Sequence, residues 1–375
     1  MVPRSFVIAV LALSTLATAQ PVQSTDPPYR NAALPVDARV RDLLARMTLE
    51  EKFWQLFMIP GDLDTPGNDY SHGAFGLQIG TGHGEDAVSG PAPDIARAHA
   101  QRINAIQRFF VERTRLGIPI IPFEEAVHGL AREGATMFPA AIGLAATWDP
   151  PLMSRVADAI ATETRTRGIR DVLSPVVNIA DDVRWGRVEE TYGEDPMLAS
   201  AMARAFVGTF ERAGIVTTPK HFIANVGEGG RDSYPIDYSE RRLKERYFPP
   251  FEAALSAGAR SIMTAYNSVD GSPATQNRRL LDGILKGDWG FRGFVISDAA
   301  ATSGATVLHL TEPNTASAAR DAFAAGLDVV FQSSYGQQRP YLDALQRGLI
   351  PLSTIDAAVS RVLRVKFELG LFEHP

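Results

Sequence analysis

No cysteine occurs among the 375 residues. That absence excludes a disulfide framework, a thiolate nucleophile and any zinc–thiolate site. The seven histidines are scattered, with no pair at metalloprotease spacing, and no Walker phosphate loop is present. Neither a metal nor another cofactor is implied. Gly80-Thr81-Gly82-His83-Gly84 is glycine-rich but lacks the dinucleotide-binding spacing. Apolar runs are short, none approaching the ~20 uninterrupted residues of a membrane span. An excess of basic residues is also missing. The formal charge of −6 argues against nucleic acid as a partner and favours neutral substrates.

What is present is enough for a large core: 45% of residues are hydrophobic and 21% charged, which suits one barrel-sized domain. Met1 to Arg4 carries positive charge, Phe6 to Ala17 is apolar, and Ala17-Thr18-Ala19 has the form of a cleavage site. Residues 1–19 therefore read as a signal peptide, with the mature chain beginning near Gln20 in a periplasmic or secreted location. Residues 20–34 are rich in Pro, Ser and small side chains without hydrophobic period, as in a linker or arm. Residues 35–375 are expected to form the folded domain.

Within it, short apolar runs alternate with helical patterns, the signature of repeated βα units. The expected strands are Gln55–Pro60, Phe75–Ile79, Ile118–Phe123, Asp171–Val176, Val216–Pro219, Ser261–Ala265, Gly293–Ser297 and Leu327–Phe331. Helices are expected over Asp94–Arg115, Pro150–Arg167, Met197–Ala213, Ser239–Ala257 and Ala316–Ala325. Val36 to Phe57 is amphipathic, with a capped second start at Thr48-Leu49-Glu50-Glu51. Eight alternating units over this length predict an α/β fold of the (β/α)8 barrel type rather than an open doubly wound sheet.

Polar residues follow the strands. Glu124 and Glu125 end the third, Asn178 the fourth, Lys220-His221 the fifth, Tyr266-Asn267 the sixth and Asp298 the seventh, so a barrel would gather them at one mouth. Asp298, followed by small residues, suits a covalent nucleophile, although by position alone a helix cap explains it equally well. Lys220-His221 suits gripping hydroxyls or holding a carboxylate ionised, or a structural pairing. Arg184 and Arg187 flank Trp185-Gly186 and are followed by Glu189, Glu190, Glu194 and Asp195. That stretch reads as a binding loop or a salt-bridge network, and Trp185 as a platform or as packing.

The segments RVRDLLARMTLEEK, EEAVHG, MFPAAIGLAATWDP, RWGRVEETYGEDP, TPKHF, PPFEAALSAGARSIMTAYNSVDG, WGFRGFVISDAA and AAVSRVLRVKFELGLFE, in this order, resemble glycoside hydrolase family 3 from about Val36 to Phe372. The resemblance implies retaining, double-displacement hydrolysis of a terminal β-linked glucosyl or xylosyl residue from cell-wall oligosaccharides or an aryl glycoside. The position of SDAA makes Asp298 the implied nucleophile. Glu125, Arg187, Lys220, His221 and Tyr266 fall on the family's substrate-binding positions.

Three departures from the family pattern carry consequences. Glu125 stands where many β-glucosidases of the family have Asp, and the longer side chain favours a pentose. Ala299 stands where Trp is common after the nucleophile, which removes one wall of the sugar pocket or assigns it elsewhere. The general acid of two-domain members lies on an α/β sandwich after the barrel, and no such segment follows Phe372-Glu373-His374-Pro375. Single-domain members carry an Asp-Ser-His loop, whereas the corresponding stretch here is Arg231-Asp232-Ser233-Tyr234. The expectation is a barrel without the sandwich, its acid/base unassigned. It would come from a missing second domain, a partner chain, or a carboxylate such as Asp232 or Asp237. The alternative function is a non-catalytic carbohydrate-binding barrel or a fragment of a two-domain enzyme.

Overall fold

Local chemistry sets the helix boundaries. Thr48 and Glu51 cap each other reciprocally, with Glu51 N donating to Thr48 Oγ1 at 3.2 Å and Thr48 N to Glu51 Oε2 at 2.8 Å. The amphipathic stretch therefore divides into Val36–Arg46 and Leu49–Trp54. Asp149, Asp195 and Asn314 cap the helices Pro150–Thr166, Pro196–Arg212 and Thr315–Ala325, each accepting from backbone N–H groups that the first turn leaves unpaired. The computed structural model describes residues 26–80, 90–226, 232 and 234–375. The expected signal peptide, most of the glycine run after Gly80, and Arg231 and Ser233 lie outside the described residues.

The strands, in chain order, are β1 (Phe57–Pro60), β2 (Leu77–Gln78), β3 (Phe123–Glu124), β4 (Asp171–Val172), β5 (Val216–Thr217), β6 (Ser261–Met263), the hairpin pair β7 (Ser268–Val269) and β8 (Ser272–Pro273), β9 (Phe294–Ile296) and β10 (Val330–Phe331). Every expected strand is found, but each is shorter than its apolar run. Proline is one reason. Pro119 and Pro122 have no N–H to donate, so the third strand, expected over Ile118–Phe123, begins its ladder only at Phe123.

Parallel pairings join β10 to β1, β1 to β2, β3 to β4, β4 to β5 and β6 to β9. The remaining joins lie outside the regular ladders. Ile121 N donates to Phe75 O at 3.0 Å, Phe222 bridges Thr264, and Ile296 bridges Val329. Followed in order, these links pass once round eight parallel segments and return to β1. Regular ladders are confined to three short parallel sheets within that circuit. Rings from non-neighbouring strands meet across it, Phe75 with Phe294 at 5.4 Å and Phe123 with Phe331 at 5.6 Å, both edge-on. The interior is thus packed by side chains. Where strands approach closest, only glycine fits: a Cβ at Gly293 would lie 2.1 Å from Arg260 O, and one at Gly76 1.9 Å from Ile121 O.

The β7–β8 hairpin turns at Asp270 and Gly271, both at positive φ, the backbone preference of a two-residue Asp-Gly turn. Ile236 N donates to Ser268 O and Asp270 N to Ile236 O, each at 2.9 Å. The hairpin thereby holds the segment around Ile236 against the mouth. No described helix is long and apolar enough to cross a membrane.

Candidate active site

Each strand of the circuit delivers the residue that follows it to the same end. There Glu125, Arg187, Lys220, His221, Asp232, Tyr266, Asp298 and Leu308 line a cavity of about 470 Å³. All six residues predicted from the sequence meet in it. A slightly larger cavity, about 540 Å³, opens at the opposite end of the strands beside Asp37, Arg260 and Arg364. Two of its arginines are paired with carboxylates, Arg364 with Asp37 and Arg260 with Glu211, and it receives no strand C-terminus.

Asp298 follows β9 and is buried. Its Oδ1 accepts from Ala299 N at 2.7 Å, and its Oδ2 lies 3.4 Å from His221 Nε2. Burial pushes its pKa up to about 6, while Lys220, the Ala299 N–H, Arg187 and Tyr266 pull in the opposite direction. The carboxyl is therefore ionised at neutral pH, in a site with little water to stabilise it. Tyr266 donates its hydroxyl to Ala299 O at 2.9 Å, and burial together with the neighbouring Asp298 raises its pKa.

Asn178, at the end of the fourth unit, orients the histidine. Its Oδ1 accepts from His221 N at 2.8 Å and lies 2.9 Å from His221 Nδ1, while its Nδ2 donates to His221 O at 2.9 Å and Ala224 O at 3.1 Å. An amide oxygen only accepts, so Nδ1 carries a hydrogen and Nε2 is presented to Asp298. Lys220 Nζ donates to both oxygens of Glu125 at 2.6 and 2.8 Å. Arg187 forms a two-pronged pair with Glu190, both bonds at 2.8 Å, and reaches Asp232 Oδ1 at 3.3 Å. Burial alone would lower the Arg187 pKa, but Glu190 and the other carboxylates raise it. Asn225 also donates to Asp232 Oδ1, at 3.2 Å.

The neighbours of these residues sort differently. Trp185 is buried and offers no platform, and Arg184 pairs with Asp182 at 2.6 Å on the exposed side of the loop. Asp237 lines a separate cavity beside Asp181 and Tyr238, so of the two carboxylates weighed as acids only Asp232 shares the cavity with Asp298. Glu124 turns away from the cavity. It accepts from Gln78 at 2.6 Å and Glu125 N at 2.9 Å and pairs with Arg132, and burial raises its pKa to about 7. Sequence reasoning missed the clamp of Asn178 on His221, the Glu190 prop behind Arg187, and Leu308. Asn178 carried a signal in its place at a strand end, and Glu190 in the density of Arg and acids around Trp185; Leu308 carried none. Among the described residues no group of three or more His, Asp or Glu is arranged to hold a metal ion.

The model of the Glycosyl hydrolase family 3 N terminal domain matches residues 48–365. The chain belongs to glycosyl hydrolase family 3. Relatives from that family include a periplasmic beta-glucosidase of Salmonella typhimurium, 33% identical over 90% of this chain and 43% of its own length. A beta-xylosidase of Formosa agariphila is 36% identical over 69% of this chain and 39% of its own. Among solved structures, a β-glucosidase from Erythrobacter marinus superposes with a TM-score of 0.82 at 32% identity, covering 92% of this chain and 47% of that one. A Listeria innocua beta-glucosidase in complex with glucose gives 0.78 at 29% identity, over 90% and 48%. The family 3 chain thus spans about half the length of these relatives.

Proposed function

We propose that this chain is the sugar-binding, nucleophile-bearing barrel of a retaining exo-β-glycosidase that acts outside the cytoplasm on terminal β-D-glucosyl or β-D-xylosyl residues. The observation that carries the reading is the environment of Asp298. A buried carboxylate lies among Lys220, Arg187 and the orienting pair Asn178–His221, with its pKa raised to about 6. In this reading an Asp298 oxygen attacks the anomeric carbon and the bond to the leaving oxygen breaks. Water later displaces Asp298 from the glycosyl ester, entering from the face that the leaving group had occupied, so that two inversions give retention. Lys220, Glu125, Arg187 and Asp232 present charged donors and acceptors to the sugar hydroxyls, and Tyr266 closes the floor beside the nucleophile. Such groups act most strongly where water is scarce.

The other two carboxylates of the cavity are each held by a cation, Glu125 by Lys220 and Asp232 by Arg187. Neither is placed as a proton donor, which supports a general acid supplied by a second domain or a partner chain. The family 3 relatives, about twice as long, agree with that division. Because a dinitrophenolate needs no proton to leave, the barrel can be tested by itself. Incubation with dinitrophenyl 2-deoxy-2-fluoro-β-glucoside and the corresponding xyloside, followed by intact-mass measurement and peptide mapping, is expected to place one glycosyl group on Asp298. A folded chain that takes no label from either reagent would leave only sugar binding.

A further inference from the structure

We infer that Leu308 is the apolar wall of the leaving-group side of this cavity and selects substrates with an aryl or similarly apolar aglycone. The inference rests on the glycosidase reading above. The cavity is graded by depth: Lys220 and His221, at 3% and 1% exposure, form its floor, whereas Leu308 is 53% exposed at the rim. Its other described lining residues are ionisable, so among the described residues Leu308 supplies the only purely hydrocarbon surface. A sugar gripped by the floor directs its anomeric substituent outward, past Asp298 and towards this rim.

The rim itself is fixed. Leu308 N and His309 N both donate to Gly304 O, at 2.8 and 3.0 Å, and Thr311 N donates to Ala305 O at 2.9 Å. The only polar side chain between Val307 and Leu310 is His309. Its Nε2 lies 2.8 Å from Tyr266 O, so it is directed into the fold and not at a ligand. Val307 and Leu310, close to Leu308 in the chain, are also largely exposed. The two residues that follow Asp298 in the chain, Ala299 and Ala300, carry only methyl groups, too small to form this wall. A leaving group that meets this surface finds hydrocarbon and few hydrogen-bond partners, which rewards an apolar aglycone over a hydroxylated one.

The test compares two inactivators with the same sugar: dinitrophenyl 2-deoxy-2-fluoro-β-glucoside and 2-deoxy-2-fluoro-β-glucosyl fluoride, whose leaving group is one atom. In Leu308→Ala the labelling efficiency with the dinitrophenyl reagent is expected to fall about fivefold relative to the fluoride, and in Leu308→Trp to rise relative to it. A ratio unchanged in both variants would overturn the wall and leave the glycosidase reading intact. Wild-type protein labelled by neither reagent would overturn both. Leu308 is exposed, so neither substitution disturbs the core, and circular dichroism of each variant checks this.

Discussion

Replacing Asp298 by Asn should make the protein more stable at neutral pH and scarcely more stable in acid. Burial lifts the carboxyl from 3.8 to about 6, which means that the folded chain disfavours the ionised form by about 3 kcal/mol. Between those two values the folded chain keeps a proton that the unfolded chain has released. Stability therefore falls as pH rises through the window, and the full cost is present above it. Asparagine resembles the neutral carboxyl in shape and cannot ionise. The substitution strands no cation, because Lys220 keeps Glu125 and Arg187 keeps Glu190 and Asp232. Urea unfolding of both proteins from pH 4 to 8 should give a gap of only about 0.5 kcal/mol at pH 4 that grows to about 3 kcal/mol by pH 7. A gap constant across that range, or a variant less stable at pH 7, would refute the reasoning. Either result would mean that attraction from Lys220, Arg187 and His221 offsets or outweighs the desolvation of Asp298.

The same pKa sets the acid limb of the chemistry. Labelling by the dinitrophenyl inactivator requires the ionised carboxylate, so its rate should climb with pH and level off above about 6, and a flat profile from pH 4.5 to 7 would count against Asp298 as the attacking group. Glu125→Asp should enlarge the space beside Lys220 and raise the glucoside-to-xyloside ratio of kcat/KM for aryl substrates by roughly tenfold, the worth of about one methylene in a pocket; an unchanged ratio would remove Glu125 from sugar selection. Gly293→Ala places a methyl group 2.1 Å from Arg260 O, which forces β6 and β9 apart; a severe loss of soluble folded protein is expected, measured by thermal unfolding against wild type, whereas Gly271→Ala in the exposed hairpin turn should cost far less.

Much of this was legible in the chain itself. Strand and helix periods are local, so the eight βα units could be counted and their order given, and a residue just after a strand must emerge at the strand's end. For that reason the sequence alone places Glu125, Lys220, His221, Tyr266 and Asp298 at one mouth. Arg187 is different: it follows no strand, the density of Arg and acids around Trp185 left it between a binding loop and a salt-bridge network, and the family motif favoured the former. Ladder lengths were less legible, because Pro119 and Pro122 cut hydrogen bonds within a run that remains apolar throughout. The Asp270-Gly271 turn has a local signature, an Asp-Gly pair between short apolar runs.

What the sequence by itself determined, then, is the succession of elements and the kinds of side chain each strand presents at its end. The tertiary structure decided which of those side chains act on one another. Closing the circuit brings Lys220 onto Glu125 and His221 onto both Asn178 and Asp298, pairs far apart in the chain that no period or spacing encodes. It also decides which of several similar carboxylates is buried among cations and which faces solvent, and so separates Asp298 from Asp237. Leu308 shows the same limit most clearly. As sequence it is one apolar residue among many, and only its position on the rim beside Tyr266 gives it a ligand to touch.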